Sequence, residues 1–167
     1  QGCARPIRSV NTRVKRGGAL LLLKGTYQMV YDKYREIAKE MIMAGVKAAD
    51  PTQAVLDSIR LAGKTLTVCG DSFNLGDYDK VLVFGIGKAA APMARALEKI
   101  VEPDGGLVIT KKGDEIGDVK VRTIPVYYAY HPEPRAENVE YSSKIIEAIT
   151  ALDPNSRTLV FFLVTGG

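Results

Sequence analysis

Residues 81–97 hold the pattern that most restricts the fold of this chain: an apolar run, a glycine turn and a helical stretch of small residues. The run VLVF is continuous in apolar residues, as expected for a strand that is covered on both faces of its sheet. Glycines let the backbone approach an anion, and a helix N-terminus offers N–H donors and a partial positive charge. The pattern therefore predicts an anion site built from Gly85, Gly87 and Lys88.

Lys88 separates two interpretations of this motif. We expect it in the first turn of the helix, where the helix dipole mildly disfavours a cation, so a bound anion explains it better than helix stability does. In the alternative interpretation the glycines only permit close packing of the helix on the strand, and Lys88 is solvated. We favour anion binding and keep packing as the alternative.

The glycine turn does not match the mononucleotide P-loop, which needs glycine where this chain has Leu82 and a hydroxyl side chain where it has Ala89. The dinucleotide pattern G-x-G-x-x-G/A fits better, with Ala90 in its third glycine or alanine position. However, the next strand ends in Lys111-Lys112 in place of an acid that would bind ribose. Lysines there would suit a 2′-phosphate, so an NADP-binding oxidoreductase domain stays open.

Hydrophobic periodicity and turn residues divide the chain into helices and strands. Helices are predicted over 26–49, 51–62, 88–100 and 135–152, and strands over 64–69, 72–75, 80–87, 106–110, 121–130 and 158–167. From residue 80 onward the order is strand, helix, strand, strand, helix, strand. This alternation predicts a layered α/β fold with a mostly parallel, Rossmann-like sheet and helices on both faces. The first two helices are expected to cover a sheet.

The composition fits one ordinary globular domain and excludes several classes of function. Hydrophobic residues make up 46% and charged residues 25% of the 167 residues, and much of the net charge of +4 lies before residue 26, so we expect no nucleic-acid partner. Two cysteines without a C-x-x-C pair indicate neither a disulfide framework nor a zinc site, and they favour a cytoplasmic location. The apolar stretch within 17–25 is shorter than the roughly 20 residues that span a bilayer, so no membrane partner is expected.

The sequence also suggests where the domain begins and ends. Residues 1–25 are basic and apolar with little periodicity, and we interpret them as a separate N-terminal segment that is non-native or loosely docked. Residues 26–167 are the predicted α/β domain. Its last strand opens into a glycine loop, and such a strand normally feeds a covering helix or loop. We therefore expect a truncated domain that exposes apolar surface and self-associates.

Further site candidates lie in the second half of the chain. His131 is the only histidine, and a packed or solvent-facing imidazole is the alternative to a functional one. Glu133 is held rigidly between two prolines, although a charged loop tip explains it equally well. Thr165, Gly166 and Gly167 predict either a second anion loop or the start of an ordinary turn.

Three segments, VFGIGKAAAPMARAL, YAYHPEPRAENVEYSSKI and a strand ending in FLVTGG, together resemble the N-terminal domain of the glycerate 2-kinase family, whose second domain carries the MOFRL signature. The resemblance covers about residue 31 to residue 167. It implies an enzyme that transfers the γ-phosphoryl group of ATP to the 2-hydroxyl of D-glycerate, giving 2-phosphoglycerate. It also implies Mg²⁺ or another divalent cation and a cleft between two α/β domains. Such chemistry depends on positioning and charge neutralisation rather than covalent catalysis.

The same resemblance implies roles for individual residues. Lys88 becomes the catalytic lysine, which neutralises charge on the phosphoryl group or on the substrate carboxylate, and Gly85 and Gly87 open the backbone around it. The other implied cleft residues are His131, Pro132, Pro134, Gly166 and Gly167, the last two beginning a phosphate loop. The metal ligands are unknown and are expected mostly in the second domain. The isolated 167-residue chain is therefore expected to be inactive.

The chain departs from the family pattern at two positions next to the His-Pro pair. Tyr130 stands where many members have glycine, and Arg135 stands where an acid is common. These differences leave the detail of the substrate loop open. A non-catalytic module that binds a sugar phosphate or another anion is the third hypothesis, and a homo-oligomer also stays open.

Overall fold

The computed structural model describes residues 19–113 and 120–166, and the chain divides after Ala48 into two compact units. The first unit contains helix α1 (Ala19–Ala48), whose side chains along 27–48 are exposed. Helix α1 runs continuously through residue 26, where the sequence predicted the start of the α/β domain. A single glycine, Gly25, is tolerated within a helix. The rest of the predicted N-terminal segment, residues 1–18, lies outside the described residues.

The second unit begins with helix α2 (Pro51–Ser58), which the Asp50 side chain caps by accepting a hydrogen bond of 2.9 Å from the Thr52 N–H. Three short antiparallel strands follow: β1 (Ile59–Ala62), β2 (Thr65–Val68) and β3 (Asp71–Asn74). The prediction of one helix over 51–62 is therefore wrong for its last four residues. Ile59–Ala62 pairs with Thr65–Val68, and Gly63 turns the chain between them with a φ of +60°.

A four-stranded parallel sheet forms the rest of the second unit. Its elements in chain order are β4 (Lys80–Ile86), α3 (Ala90–Leu97), β5 (Gly105–Lys111), β6 (Val126–Ala129), α4 (Ala136–Thr150) and β7 (Thr158–Val164). The predicted alternation of strands and helices is confirmed. The strand predicted over 121–130 is shorter than expected, because Pro125 lacks the N–H that a continuing ladder would require.

Helices cover both faces of this sheet, as predicted. Val83 and Val108 pack on one face against α3, and α2 packs in turn against α3. Phe84 and Ile109 lie on the opposite face in a cluster with Ile145 of α4. The alternation arises because successive side chains of a strand point to opposite faces. Of the two helices expected to cover a sheet, α2 packs mainly against α3, and α3 covers that face of the sheet.

The strand order β6-β5-β4-β7 places a topological switch point at β4. From β4 the chain adds β5 and β6 on one side, and β7 then returns to pair with the other side of β4. In open α/β sheets, ligands bind in the crevice beyond the carboxyl ends of the strands at such a point. The ends of β4 and β7 are therefore where this fold favours a site.

None of the helices in the described ranges 19–113 and 120–166 combines the length and the apolar composition needed to cross a bilayer.

Candidate functional site

An open cavity of about 270 Å³ lies beyond the carboxyl ends of the parallel strands. Its walls come from the ends of β4, β5, β6 and β7 and from the loop before α4. The lining residues are Ile86, Gly87, Lys88, Ile109, Thr110, Lys111, Ala129, Tyr130, His131, Asn138, Thr165 and Gly166. The cavity therefore contains two lysines and one histidine, and no carboxylate side chain is among these lining residues.

Gly87 brings the ends of β4 and β7 together. Its φ of +118° is rarely adopted by other residues, and an added Cβ would collide with the side-chain and backbone oxygens of Thr165. The Gly87 N–H donates to the Ile109 carbonyl at 3.0 Å, and the Thr165 N–H donates to the Ile86 carbonyl at 3.0 Å. Glycine is thus required at position 87 by close approach of two chain segments.

Lys88 lies before helix α3, which begins at Ala90, and so the prediction that Lys88 occupies the first helical turn is wrong. The chain turns once more at Ala89, whose N–H donates to Thr165 Oγ1 at 3.2 Å. The Ala90 N–H donates to the Gly87 carbonyl at 3.1 Å. Both amides are therefore already bonded within the protein, and the positive character of the cavity comes from lysine side chains.

Gly85 has a different role from the one predicted around Lys88. It is buried and does not line the cavity. An added Cβ would lie 3.0 Å from Val108 Cγ2 and 3.2 Å from Ala90 Cβ. The structure thus shows for Gly85 the close helix–strand packing that the sequence left as the alternative.

Lys111 and Lys112 add positive charge at the carboxyl end of β5. Lys111 is half-buried in the cavity wall, and Lys112 is exposed with its Nζ 5.4 Å from the centre of the Tyr130 ring. The Arg135 guanidinium lies over the same ring at 4.1 Å. Tyr130 and Arg135, the two departures from the family pattern, are therefore in direct contact with each other. A cation over an aromatic face is a favourable contact.

The predicted His-Pro loop supplies one wall of the cavity. His131 lines the cavity, and its peptide bond to Pro132 is cis. Glu133, which the sequence placed among the binding residues, is exposed and is not one of the lining residues. Thr165 and Gly166 line the cavity as the sequence suggested, whereas Gly167 lies outside the described residues.

Asn138 is a cavity residue that the sequence analysis missed. Its side chain bonds to the backbone of Tyr130 and of Arg135, at the two ends of the His-Pro loop. A sequence signal did exist, since Asn138 lies in the first turn of the predicted helix and could cap it. The contact with Tyr130 depends on the path of the loop and is not visible in the sequence.

The described residues do not form a metal site by themselves. Within residues 19–113 and 120–166, no group of three or more His, Cys, Asp or Glu side chains could hold a metal ion. Two lysines and a histidine fit the negative charge of a phosphate or carboxylate group, and they do not fit a divalent cation.

Comparison with known proteins supplies the family. Residues 37–167 match the family model of a domain of unknown function, DUF4147. The chain belongs to the DUF4147 family. This DUF4147 chain is 32% identical to a glycerate 2-kinase of Pyrococcus horikoshii over 83% of its own length, and 26% identical to a D-glycerate 2-kinase of Thermotoga maritima over 81%. These matches confirm the resemblance to the glycerate 2-kinase family.

The DUF4147 chain spans 30% and 29% of the lengths of these two relatives. It is also 37% identical to a putative hydroxypyruvate reductase of Agrobacterium vitis, over 53% of this chain and 22% of the relative.

Solved structures agree with the fold of this DUF4147 domain. A crystal structure of a Pyrococcus horikoshii protein matches with a TM-score of 0.65 at 32% identity, covering 80% of this chain and 29% of that one. A glycerate kinase of Thermotoga maritima matches with a TM-score of 0.56 at 23% identity, over 77% and 28%, which shows a shared fold.

Proposed function

We propose that this chain is part of an ATP-dependent glycerate 2-kinase, which phosphorylates the 2-hydroxyl of D-glycerate to give 2-phosphoglycerate. The observation that carries the proposal is the cavity at the switch point, where Lys88, Lys111 and His131 meet beyond the strand ends. The glycerate 2-kinases among the relatives support the choice of reaction. This chain spans about 30% of the length of those relatives, so the proposal concerns the whole protein to which it belongs.

The cavity residues would act by charge and position. Lys88 and Lys111 place two cationic side chains in the walls of one cavity, where they attract phosphate or carboxylate oxygens. His131 adds a ring nitrogen that can donate to the same anion or to a substrate hydroxyl. Gly87 keeps the ends of β4 and β7 close together, so the sheet sets where the chain enters Lys88. Preorganised charge of this kind is the main requirement of phosphoryl transfer.

ATP would supply the phosphoryl group, and Lys88 and Lys111 are the residues of this chain suited to hold its phosphates. No Asp or Glu that could bind Mg²⁺ is among the residues that line the cavity. We propose that the metal ligands belong to another part of the whole protein.

The test is the rate of ADP release with D-glycerate by the full-length protein carrying Lys88→Ala. We expect a fall of about 100-fold or more, because a group that neutralises charge in the transition state is removed. Lys99→Ala is the matched control, since Lys99 is exposed just beyond α3 and does not line the cavity. A Lys88→Ala rate within a few-fold of wild type would contradict the proposed role. Ligand binding without turnover in the wild type would favour a non-catalytic anion-binding module.

A second candidate, an NADP-binding oxidoreductase, is favoured by one relative, the putative hydroxypyruvate reductase. Gly85, Gly87 and Ala90 match the dinucleotide pattern at the end of β4, and Lys111-Lys112 follows β5. Against it, the Ala89 and Ala90 amides, which would face a pyrophosphate, already bond to Thr165 and Gly87. Fluorescence titration with NADPH decides between the two functions, because the absence of saturable binding removes the oxidoreductase.

A further inference from the structure

We infer that Asn138 is a positioning residue that holds the His-Pro loop, residues 130–135, and with it His131, in the wall of the cavity. The inference rests on the proposed function only in assigning D-glycerate as the ligand of that cavity. Asn138 itself acts through the loop and not on the reacting atoms.

The Asn138 carboxamide joins both ends of the loop. Its Oδ1 accepts hydrogen bonds from the Tyr130 N–H at 3.2 Å and from the Arg135 N–H at 3.0 Å. Its Nδ2 donates to the Tyr130 carbonyl at 2.9 Å. Three bonds from one half-buried side chain therefore fix the separation of residues 130 and 135.

The interior of the loop has limited means of holding itself in place. Pro132 and Pro134 have no N–H groups, so two of its four interior positions cannot donate a backbone hydrogen bond. His131 and Glu133 are both exposed. The position of His131 therefore depends on the two ends of the loop, where Asn138 makes its contacts.

The same three hydrogen bonds hold the two loop ends where their side chains make a second contact. With Tyr130 and Arg135 held by one carboxamide, the guanidinium lies 4.1 Å from the centre of the aromatic ring. Lys112 approaches the ring from the end of β5 at 5.4 Å. Asn138 thus holds the Arg135 guanidinium over the ring of Tyr130, which lines the cavity beside His131.

A plain structural role is the competing explanation, because the bond from the Arg135 N–H to Asn138 Oδ1 also satisfies the N-cap amide of α4. Asn138→Asp separates the two roles. A carboxylate keeps both accepting bonds and suits a helix N-terminus, so α4 stays capped. It loses the donor to the Tyr130 carbonyl and places a negative charge against that oxygen. Asn138→Ala removes the helix cap together with both hydrogen bonds to the Tyr130 backbone.

His131, the only histidine of this sequence, gives a direct readout. Its resonance is followed by NMR in the full-length wild-type protein, in the two Asn138 variants and in Thr150→Ala, with His131→Gln to assign it. Thr150 is a matched control because its hydroxyl bonds within the last turn of α4, to the Ile146 and Glu147 carbonyls. Thermal unfolding and D-glycerate titration are measured on the same samples.

For Asn138→Asp we expect a fall in the unfolding midpoint that is clearly smaller than that of Asn138→Ala, because only the donor to the Tyr130 carbonyl is lost. We also expect a shifted or broadened His131 resonance and a D-glycerate affinity about 10-fold lower. Asn138→Asp should lose no further affinity in a His131→Gln background, because coupled residues are not additive. Thr150→Ala should leave the resonance and the affinity unchanged.

Two results would overturn the inference. One is a wild-type His131 resonance in Asn138→Asp. The other is that D-glycerate affinity falls only in those variants whose unfolding midpoint falls in proportion, as expected if Asn138 acts only as a helix cap. If the full-length wild-type protein binds neither D-glycerate nor inorganic phosphate, the proposed function fails, whereas the ligand-free His131 resonance still decides the role of Asn138.

Discussion

Thr165 Oγ1 accepts a hydrogen bond of 3.2 Å from the Ala89 N–H, and so joins the end of β7 to the residue that precedes α3. The two residues are far apart in sequence and meet because β7 returns to pair with β4 at the switch point. This bond occupies an amide that a phosphate would otherwise use. It also closes one side of the cavity that contains Lys88.

Removing the hydroxyl of Thr165 tests this junction. Thr165→Val keeps the shape of the side chain and leaves the Ala89 N–H without its acceptor, so we expect the free energy of unfolding to fall by about 1 kcal/mol. Urea denaturation measures the change, and Thr165→Ser, which keeps the hydroxyl, is the control. Equal losses in the two variants would show that the hydrogen bond does not matter.

Gly87→Ala tests the close approach of β4 and β7. The new Cβ would collide with Thr165, and the φ of +118° is unfavourable for alanine. Gly70 is a matched control, because its φ is +101° and nothing lies within 4 Å of an added Cβ. We expect Gly87→Ala to cost about 1–3 kcal/mol more than Gly70→Ala in urea denaturation, and to weaken anion binding. Equal costs would mean that only backbone strain matters at position 87.

Gly106 gives a second matched pair within β5. Its φ is +132°, and an added Cβ would collide with the backbone of Val83 on the paired strand β4. At the neighbouring Gly105 a Cβ would meet only Leu82 Cδ2, at 3.6 Å. We expect Gly106→Ala to cost at least about 3 kcal/mol more than Gly105→Ala, seen as loss of soluble folded protein or of the unfolding midpoint. Similar midpoints for both variants would contradict this contact.

Asp79 and Arg157 link the start of β4 to the start of β7, and they predict a pH dependence. Hydrogen bonds from the Arg157 backbone N–H at 2.9 Å and from its guanidinium at 3.3 Å lower the pKa of the Asp79 carboxyl below its ordinary value. The stabilisation is therefore complete above the ordinary pKa and is lost as the pH falls through the lowered one.

Thermal unfolding of wild type and Asp79→Asn over an acid pH series checks this dependence. We expect a higher midpoint for the wild type near neutrality and a difference that shrinks with acidification and with added salt, since the pair is exposed. A difference that is constant across the series would contradict it.

Some features of the fold and site follow from local sequence. The apolar run of β4 and the alternation that follows it predict a parallel sheet with helices on both faces. One part of each predicted motif lines the cavity, Gly87-Lys88 from the glycine turn and His131 from the His-Pro loop. Local patterns failed where pairing with another segment decides the outcome. Residues 59–62 fit a helical pattern, yet they form β1 because β2 pairs with them.

The site shows the same division between local and distant causes. The sequence by itself determined which residue types follow the strands, and so it placed positive charge at Lys88 and Lys111 and a stiff loop at His131. Only the tertiary structure decided which of these groups meet, that Gly85 packs against Val108, and that Asn138 holds the loop. The physical reason is that strand order brings β7 back beside β4, and contacts between distant segments leave no periodic trace in either one.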